Sequence, residues 1–175
     1  MHWLHLSDIH FNPNSETNRN TIQLRKKLID YIKDNQITAD EIFITGDFRN
    51  ASSPCSNEQK LVDETIKFII EVAESSKIKD RTHIHIVPGN HDLYRCELKP
   101  ELDEIRENYD YDSGNFKPDE FKQLISRFGF YAHVHNDLYL NNKSIMAEEL
   151  PLHFSKCFED YALIYLNTAI TCGNG

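Results

Sequence analysis

The first half of the chain contains three short segments that predict strands. Residues His2–Ser7 alternate loosely between polar and apolar positions, which indicates a short strand. A second strand is predicted at Glu41–Thr45 and a third at Thr82–Val87, which Pro88 and Gly89 end. Three strands are therefore expected in this half of the chain.

Helical periodicity fills the two intervals between these strands. Asn20 and Gln23 form a capping pair, and the helix that they begin is expected to have an apolar stripe of Leu24, Leu28, Tyr31 and Ile32. Residues 56–59 form a capping box, and the next helix is expected to bury Leu61, Val62, Ile66, Ile69 and Ala73. The order strand, helix, strand, helix, strand predicts an α/β fold with right-handed crossovers and a largely parallel sheet.

The second half of the chain is less regular. Residues 97–115 are polar and contain tyrosines, which predicts a partly helical surface insertion. Pro118 begins a helix whose apolar positions are Phe121, Leu124, Ile125 and Phe128. His153 is expected in a solvated polar coil, and a fourth strand is predicted at Tyr161–Ala169.

Composition narrows the class of protein. The chain has 175 residues, of which 39% are hydrophobic and 27% charged, and one domain is expected over residues 1–175. No apolar run approaches the ~20 residues that span a bilayer, and the N-terminus lacks the order of a signal peptide. The four cysteines are scattered, which disfavours a zinc–thiolate site and a disulfide framework. A cytoplasmic protein that does not bind membranes is therefore expected.

Three polar clusters follow the three predicted strands. They are Asp8-Ile9-His10, Gly46-Asp47 and Gly89-Asn90-His91-Asp92. Ligands of open α/β sheets bind beyond the carboxyl ends of the strands, so the three clusters are expected to converge. Carboxylate, imidazole and amide groups suit manganese, iron, zinc or magnesium. Asp47, directly after a glycine, is placed to lie between two ions.

These motifs, in this order and each after a strand, resemble the opening three motifs of the calcineurin-like metallophosphoesterases. The resemblance implies a four-layer αββα sandwich, here incomplete at the C-terminus. It implies that Asp8 and His10 bind one divalent ion, that Asp47 bridges two, and that Asn90 binds the second. It also implies that His91 is the catalytic histidine, which contacts the phosphate and protonates the leaving oxygen. Manganese is the expected metal, with iron, zinc or magnesium as alternatives.

The chain departs from the family pattern at two places. A later histidine and a Gly-His-x-His motif do not follow Ala169, so residues 1–175 are interpreted as a truncated domain with further domains C-terminal to it. His133-Val-His135 is an alternative ligand pair, although it precedes the fourth strand. Asn50 stands where many members carry an acid that orients the catalytic histidine, which weakens the case for His91 as a general acid.

Three functions stay open at this point. The first is a metal-dependent phosphodiesterase that acts on nucleotides or cyclic nucleotides. The second is a DNA or RNA nuclease, including the N-terminal effector of a larger bacterial defence protein. The third is a catalytically incomplete binding module. The net charge of −9 argues against a broad basic nucleic-acid surface, although bound metals can invert the field of a site. Arg49 is a candidate phosphate contact or a surface ion-pair partner.

Overall fold

The computed structural model describes residues 1–11, 19–50, 58–94, 104–105, 107, 118–139, 153–170 and 172. The strands are β1 (Trp3–Leu6), β2 (Glu41–Thr45), β3 (Ile84–Val87), β4 (His153–Cys157) and β5 (Ala162–Leu166). The helices are α1 (Arg19–Asp34), α2 (Glu58–Ser75), α3 (Pro118–Ile125) and α4 (Gly129–Tyr139), and short 3-10 turns cover Arg81–His83, Asn90–Asp92 and Ser126–Phe128. Among these described helices, none is long and apolar enough to cross a membrane.

The first three strands form one parallel sheet in the order β1-β2-β3. Leu4 pairs with Ile42, and Ile42 pairs with Ile84. The predicted parallel sheet of an α/β fold is thus confirmed. β3 begins two residues later than predicted, because Arg81–His83 forms a 3-10 turn that Asp80 caps.

Alternation along β2 and β3 gives the sheet two different faces. Ile42, Ile44, Ile84 and Ile86 point to one face, where each is at most 1% exposed and belongs to a core shared with α1 and α2. The opposite face carries Glu41, Phe43 and His85, and the rings of Phe43 and His85 stack with centroids 5.1 Å apart. One face is therefore an ordinary apolar core, and the other mixes aromatic and titratable groups.

Helix α1 turns a different stripe toward the core from the one predicted. Leu24 is 67% exposed and Tyr31 60% exposed, whereas Ile29 and Ile32 are buried. The guanidinium of Arg25 lies 3.9 Å from the centroid of the Phe11 ring, so this half-buried arginine occupies the stripe in place of Leu24. In α2 the predicted apolar positions are buried, except that Ile66 is half-buried. Ser56 of its predicted capping box lies outside the described residues.

The outer edge of β3 is covered by α4. Tyr131 donates its hydroxyl to the carbonyl of Ile86 (3.0 Å), and Tyr139 donates to the carbonyl of Ile84 (2.7 Å). Burial raises the pKa of both phenols, so they remain neutral donors. Among the described residues, no strand pairs with this edge of β3. The two tyrosine hydroxyls therefore satisfy carbonyls that would otherwise lack a partner from the sheet.

A second sheet is formed by β4 and β5, which pair antiparallel. The prediction of coil around His153 was wrong, because this residue begins β4 and pairs with Leu166. The strand predicted at Tyr161–Ala169 is shorter, since β5 ends at Leu166 and Thr168–Ile170 forms a turn. Most of the predicted insertion at 97–115 lies outside the described residues.

A polar cluster joins the two sheets. The carboxylate of Glu41, whose side chain is 2% exposed, accepts hydrogen bonds from His83 Nδ1 (2.9 Å), His85 Nε2 (2.6 Å) and the Tyr161 hydroxyl. The other ring nitrogen of His85 accepts from the Tyr165 hydroxyl. Burial alone would raise the pKa of Glu41, but the hydrogen bonds from Tyr161 and the two histidines lower it below its usual range. Burial lowers the pKa of His85, which Glu41 offsets only in part.

This cluster predicts a loss of stability on acidification. A folded-state pKa below the ordinary value of about 6.5 means that the unfolded chain takes up the His85 proton first, so stability falls as the pH drops below about 6.5. The carboxylate of Glu41 adds a second loss at pH values below about 4.3, because its folded-state pKa is also lowered. We expect the His85→Gln variant to lose less stability than wild type between about pH 7 and pH 5.

Urea denaturation at a series of pH values measures this difference. His2→Gln is the matched histidine control, since the His2 side chain is 85% exposed and lies outside the cluster of Glu41 and His85. Equal slopes for wild type and His85→Gln would show that His85 titrates alike in the folded and unfolded chain.

Candidate metal centre and active site

All three sequence motifs lie beyond the carboxyl ends of the parallel strands. Asp8 and His10 follow β1, Asp47 follows β2, and the 3-10 turn Asn90–Asp92 follows β3. Adjacent strands bring these ends to one edge of the sheet, as the strand order predicts. The convergence expected from the sequence is thus present in the backbone.

Backbone pairing between the first two loops continues past the strands. The amide of His10 donates to the carbonyl of Asp47 (2.9 Å), and the amide of Phe11 donates to the carbonyl of Phe48 (2.7 Å). The amide of Asn50 donates in turn to the carbonyl of Phe11 (2.9 Å). These backbone hydrogen bonds join the two loops and fix the spacing of their side chains.

The backbone of these joined loops is strained at the motif residues. Asp8, His10 and Asp47 have φ angles of 56°, 50° and 56°, in the left-handed region that side chains other than glycine avoid. Such residues cost about 1–3 kcal/mol each and cluster at functional sites. A Cβ on Gly46, whose φ is 90°, would meet the Gly89 backbone nitrogen at 2.4 Å. Glycine at position 46 thus lets the second and third loops touch.

Asp8, His10 and Asp47 form a group that fits a divalent cation. Each offers one ligand atom, and these atoms lie within 4.8 Å of one another. His10 Nε2 is 3.7 Å from Asp8 Oδ1, while His10 Nδ1 donates to the carbonyl of Arg49 (3.4 Å). That second bond leaves Nε2 as the free lone pair, which is how ligating histidines are usually oriented. Two carboxylates and one imidazole match the donor set that manganese, iron or zinc prefers.

The carboxylate of Asp92 lies fully buried beneath this group. It accepts backbone N–H groups from Asp47 (2.9 Å), Phe48 (2.9 Å), Arg49 (3.3 Å) and Gly89 (2.8 Å). Burial raises the pKa of Asp92 to about 7, while the N–H donors favour the ionised form. Because the donors come from two loops, Asp92 fixes the second motif against the third.

His91 and Asn90 stand beside the ligand group. The amide of His91 donates to Asp47 Oδ1 (2.9 Å), and the rings of His91 and His10 meet edge to face with centroids 4.8 Å apart. Asn90 is exposed and lines a cavity of about 480 Å³ together with Asp47. The lining of this cavity continues along β3 and β5, and it includes none of Asp8, His10 and His91.

Arg49 is buried. The sequence had suggested instead that it contacts a substrate phosphate or forms a surface ion pair. It is 3% exposed, and its guanidinium donates to the carbonyls of Leu93 (2.7 Å) and His91 (3.3 Å). The alternative of a surface ion pair was therefore wrong, because the side chain turns inward under the third loop.

The alternative ligand pair His133 and His135 lies on α4, which packs against α2. His133 Nδ1 is 3.5 Å from Glu58 Oε1, and the His135 ring packs 4.8 Å from that of Tyr139. Burial lowers the pKa of His135. Among the described histidines and carboxylates, neither residue belongs to the Asp8–His10–Asp47 group.

Two residues of the site escaped the sequence-based assignment. Asp92 was part of the third motif but received no role, and the only signal was its place directly after His91. Arg49 carried no signal of burial, since an arginine between Phe48 and Asn50 is equally compatible with an exposed loop. Both roles depend on contacts between distant parts of the chain.

Comparison with known proteins agrees with the motifs. A family model described as calcineurin-like phosphoesterase matches residues 1–165. The chain is also 25% identical over 180 residues to YydB, an uncharacterized metallophosphoesterase-like protein of Bacillus subtilis (strain 168). That alignment covers 96% of this chain and 33% of the relative, so the chain spans about a third of the relative's length. No solved structure matches the chain.

The ligand group predicts that Asp47→Asn weakens metal binding. Replacing this carboxylate removes one of the two negative charges in the ligand group, and we expect manganese affinity to fall by more than about tenfold. Titration of Mn²⁺ followed by electron paramagnetic resonance measures the change. Asp30→Asn, an exposed substitution on α1, is the control. Equal affinities in both variants would remove Asp47 from the ligand set.

The buried carboxylate predicts that Asp92→Asn destabilises the fold. An amide offers one acceptor oxygen to the four N–H groups and turns its own NH₂ group toward donors. We expect a loss of about 3 kcal/mol in the free energy of unfolding, measured by urea denaturation. Asp34→Asn, at an exposed position of α1, should change it by less than about 0.5 kcal/mol. A similarly small change at Asp92 would show that its hydrogen bonds are replaceable.

Proposed function

This chain belongs to the calcineurin-like phosphoesterase family, and on that premise we propose that it is a two-metal phosphodiesterase acting on nucleotides or cyclic nucleotides. The observation that carries the proposal is the grouping of the Asp8, His10 and Asp47 ligand atoms within 4.8 Å of one another. Because the chain spans about a third of its Bacillus relative, the activity is proposed for the protein that contains it.

The grouping of Asp8, His10 and Asp47 and the resemblance of the motifs support the following set of proposed metal ligands. Asp8 and His10 would hold one divalent ion, Asp47 would lie between two ions, and Asn90 would contribute to the second. Manganese is the proposed metal, with iron, zinc or magnesium as alternatives, since carboxylate, imidazole and amide donors suit all four. When bound, a pair of such ions supplies Lewis acidity and an activated water at neutral pH.

The chain's own residues would orient the substrate and move the proton. The His91 ring stands beside His10, so it can donate a hydrogen bond to a phosphoryl oxygen and then protonate the leaving oxygen. The amide of His91 donates to Asp47, which ties the proposed acid to the proposed bridging ligand. The cavity that Asp47 and Asn90 line would adjoin the proposed bridging ligand and the proposed ligand of the second ion.

The charge of the chain favours a small substrate over a long nucleic acid. Proteins that bind long nucleic acids usually neutralise the phosphates with a basic surface. This chain carries a net charge of −9. The fold itself supports a second proposal. We propose that β4 and β5 belong to the second sheet of a four-layer αββα sandwich. The packing of their tyrosines on Glu41 and His85 supports that arrangement.

The proposed role of His91 predicts a specific kinetic defect. In the presence of Mn²⁺, wild type should hydrolyse bis-p-nitrophenyl phosphate, and His91→Asn should lower kcat at least about a hundredfold, because general acids contribute that much or more. Manganese affinity should stay unchanged. His133→Asn on α4 is the matched histidine control and should retain wild-type kcat. Hydrolysis by His91→Asn at the wild-type rate would exclude this residue as the acid.

A further inference from the structure

Arg49 touches all three loops of the candidate site although it is buried. Resting on the proposed function, we propose that Arg49 is a positioning residue that sets the distance between the proposed catalytic histidine, His91, and the proposed metal ligand His10. It would act through backbone contacts and would not touch the substrate, since its side chain is turned away from solvent.

The side chain of Arg49 holds the third loop. Its Nη2 donates to the carbonyl of Leu93 (2.7 Å) and its Nε donates to the carbonyl of His91 (3.3 Å). These carbonyls belong to the residues on either side of Asp92. The planar guanidinium therefore bonds to the backbone both before and after the buried carboxylate. The guanidinium thereby restrains the peptide that carries the His91 ring.

Aromatic rings restrain the guanidinium in turn. Its central carbon lies 4.8 Å from the Tyr94 ring centroid and 5.2 Å from that of Phe130. Gly129, next to Phe130, leaves room for this arrangement, because a Cβ there would meet the Tyr94 ring at 2.4 Å. A planar cation held against two rings has a defined orientation, so its donors point in fixed directions.

The backbone of Arg49, which lies in the second loop, contacts the first and the third loop. Its amide donates to Asp92 Oδ1 (3.3 Å), and its carbonyl accepts from His10 Nδ1 (3.4 Å). The same residue therefore orients the His10 ring through its carbonyl and the His91 backbone through its side chain. The ring centroids of His10 and His91 are 4.8 Å apart, and Arg49 contacts both of these residues.

Three variants test the inference. Arg49→Met keeps the apolar stem and removes every donor, while Arg49→Lys keeps the charge but cannot donate to two carbonyls as a planar fork. Arg81→Met is the matched control, since Arg81 also donates to two carbonyls, those of Asp137 and Leu138 (3.2 and 2.7 Å), at the opposite end of β3 from the site.

Hydrogen exchange of the metal-free protein is the first readout. The amide of His91 is bonded to Asp47, and Arg49→Met should speed its exchange at least about tenfold more than it speeds exchange of the core amides of α2 and β2. Arg49→Lys should give an intermediate value. In Arg81→Met, His91 should follow the core amides. If His91 follows the core amides in Arg49→Met too, Arg49 is only a stability residue and the inference is overturned.

Kinetics with Mn²⁺ and bis-p-nitrophenyl phosphate are the second readout. We expect Arg49→Met to lower kcat roughly tenfold to a hundredfold, with KM and manganese affinity changed less than about twofold, and Arg49→Lys to recover part of kcat. Wild-type kcat in Arg49→Met would overturn the inference while leaving the phosphodiesterase proposal intact. Absence of hydrolysis by metal-loaded wild type would instead overturn the proposed function, and the two failures are thereby distinguished.

Discussion

The buried carboxylate of Asp92 is the contact on which the geometry of the candidate site depends. It accepts four backbone N–H groups, three from the loop after β2 and one from the loop after β3. Without it, these donors would lose their acceptor around a fully buried position, which is costly for each group that is left unsatisfied. Since Asp92 follows directly on Asn90 and His91, whatever fixes this carboxylate also fixes the residues proposed to bind metal and donate the proton.

Strain in the neighbouring loops is sustained by the same network. Left-handed backbone at Asp8, His10 and Asp47 would relax to an extended form if each loop stood alone. The continued pairing of the first two loops, from His10 to Asp47 and from Phe11 to Phe48, leaves them no such freedom. Phe11 and Phe48 are both at most 2% exposed, so the pairing is anchored in the core. The strained residues therefore present their side chains at one point, where the paired loops hold them.

Features that depend on local sequence were predictable, and features that depend on distant contacts were not. The strands β1 to β3 and the placement of the motifs after them follow from short apolar runs ended by turn residues. By contrast, the choice of Arg25 over Leu24 for the inner face of α1 depends on the Phe11 ring, which lies on another element. The inward turn of Arg49 likewise depends on Tyr94 and on carbonyls more than forty positions away. Strand β4 escaped prediction because it is mostly polar and acquires its identity only by pairing with β5.

The structure divides rigidity and chemistry between two sets of residues. Asp92 and Arg49, which hold the loops together, are at most 3% exposed, whereas the Asp8 side chain is 66% exposed. Side chains that must exchange water for a metal or a phosphate have to stay accessible, and accessible side chains cannot by themselves define a geometry, since solvent competes for their hydrogen bonds. The buried residues Asp92 and Arg49 supply the fixed geometry that the exposed side chains lack. Two carboxylates, Asp8 and Asp47, are also held close together in this way, and their backbone is strained. The site therefore sacrifices stability for function, as is usual where ligands must be assembled in advance.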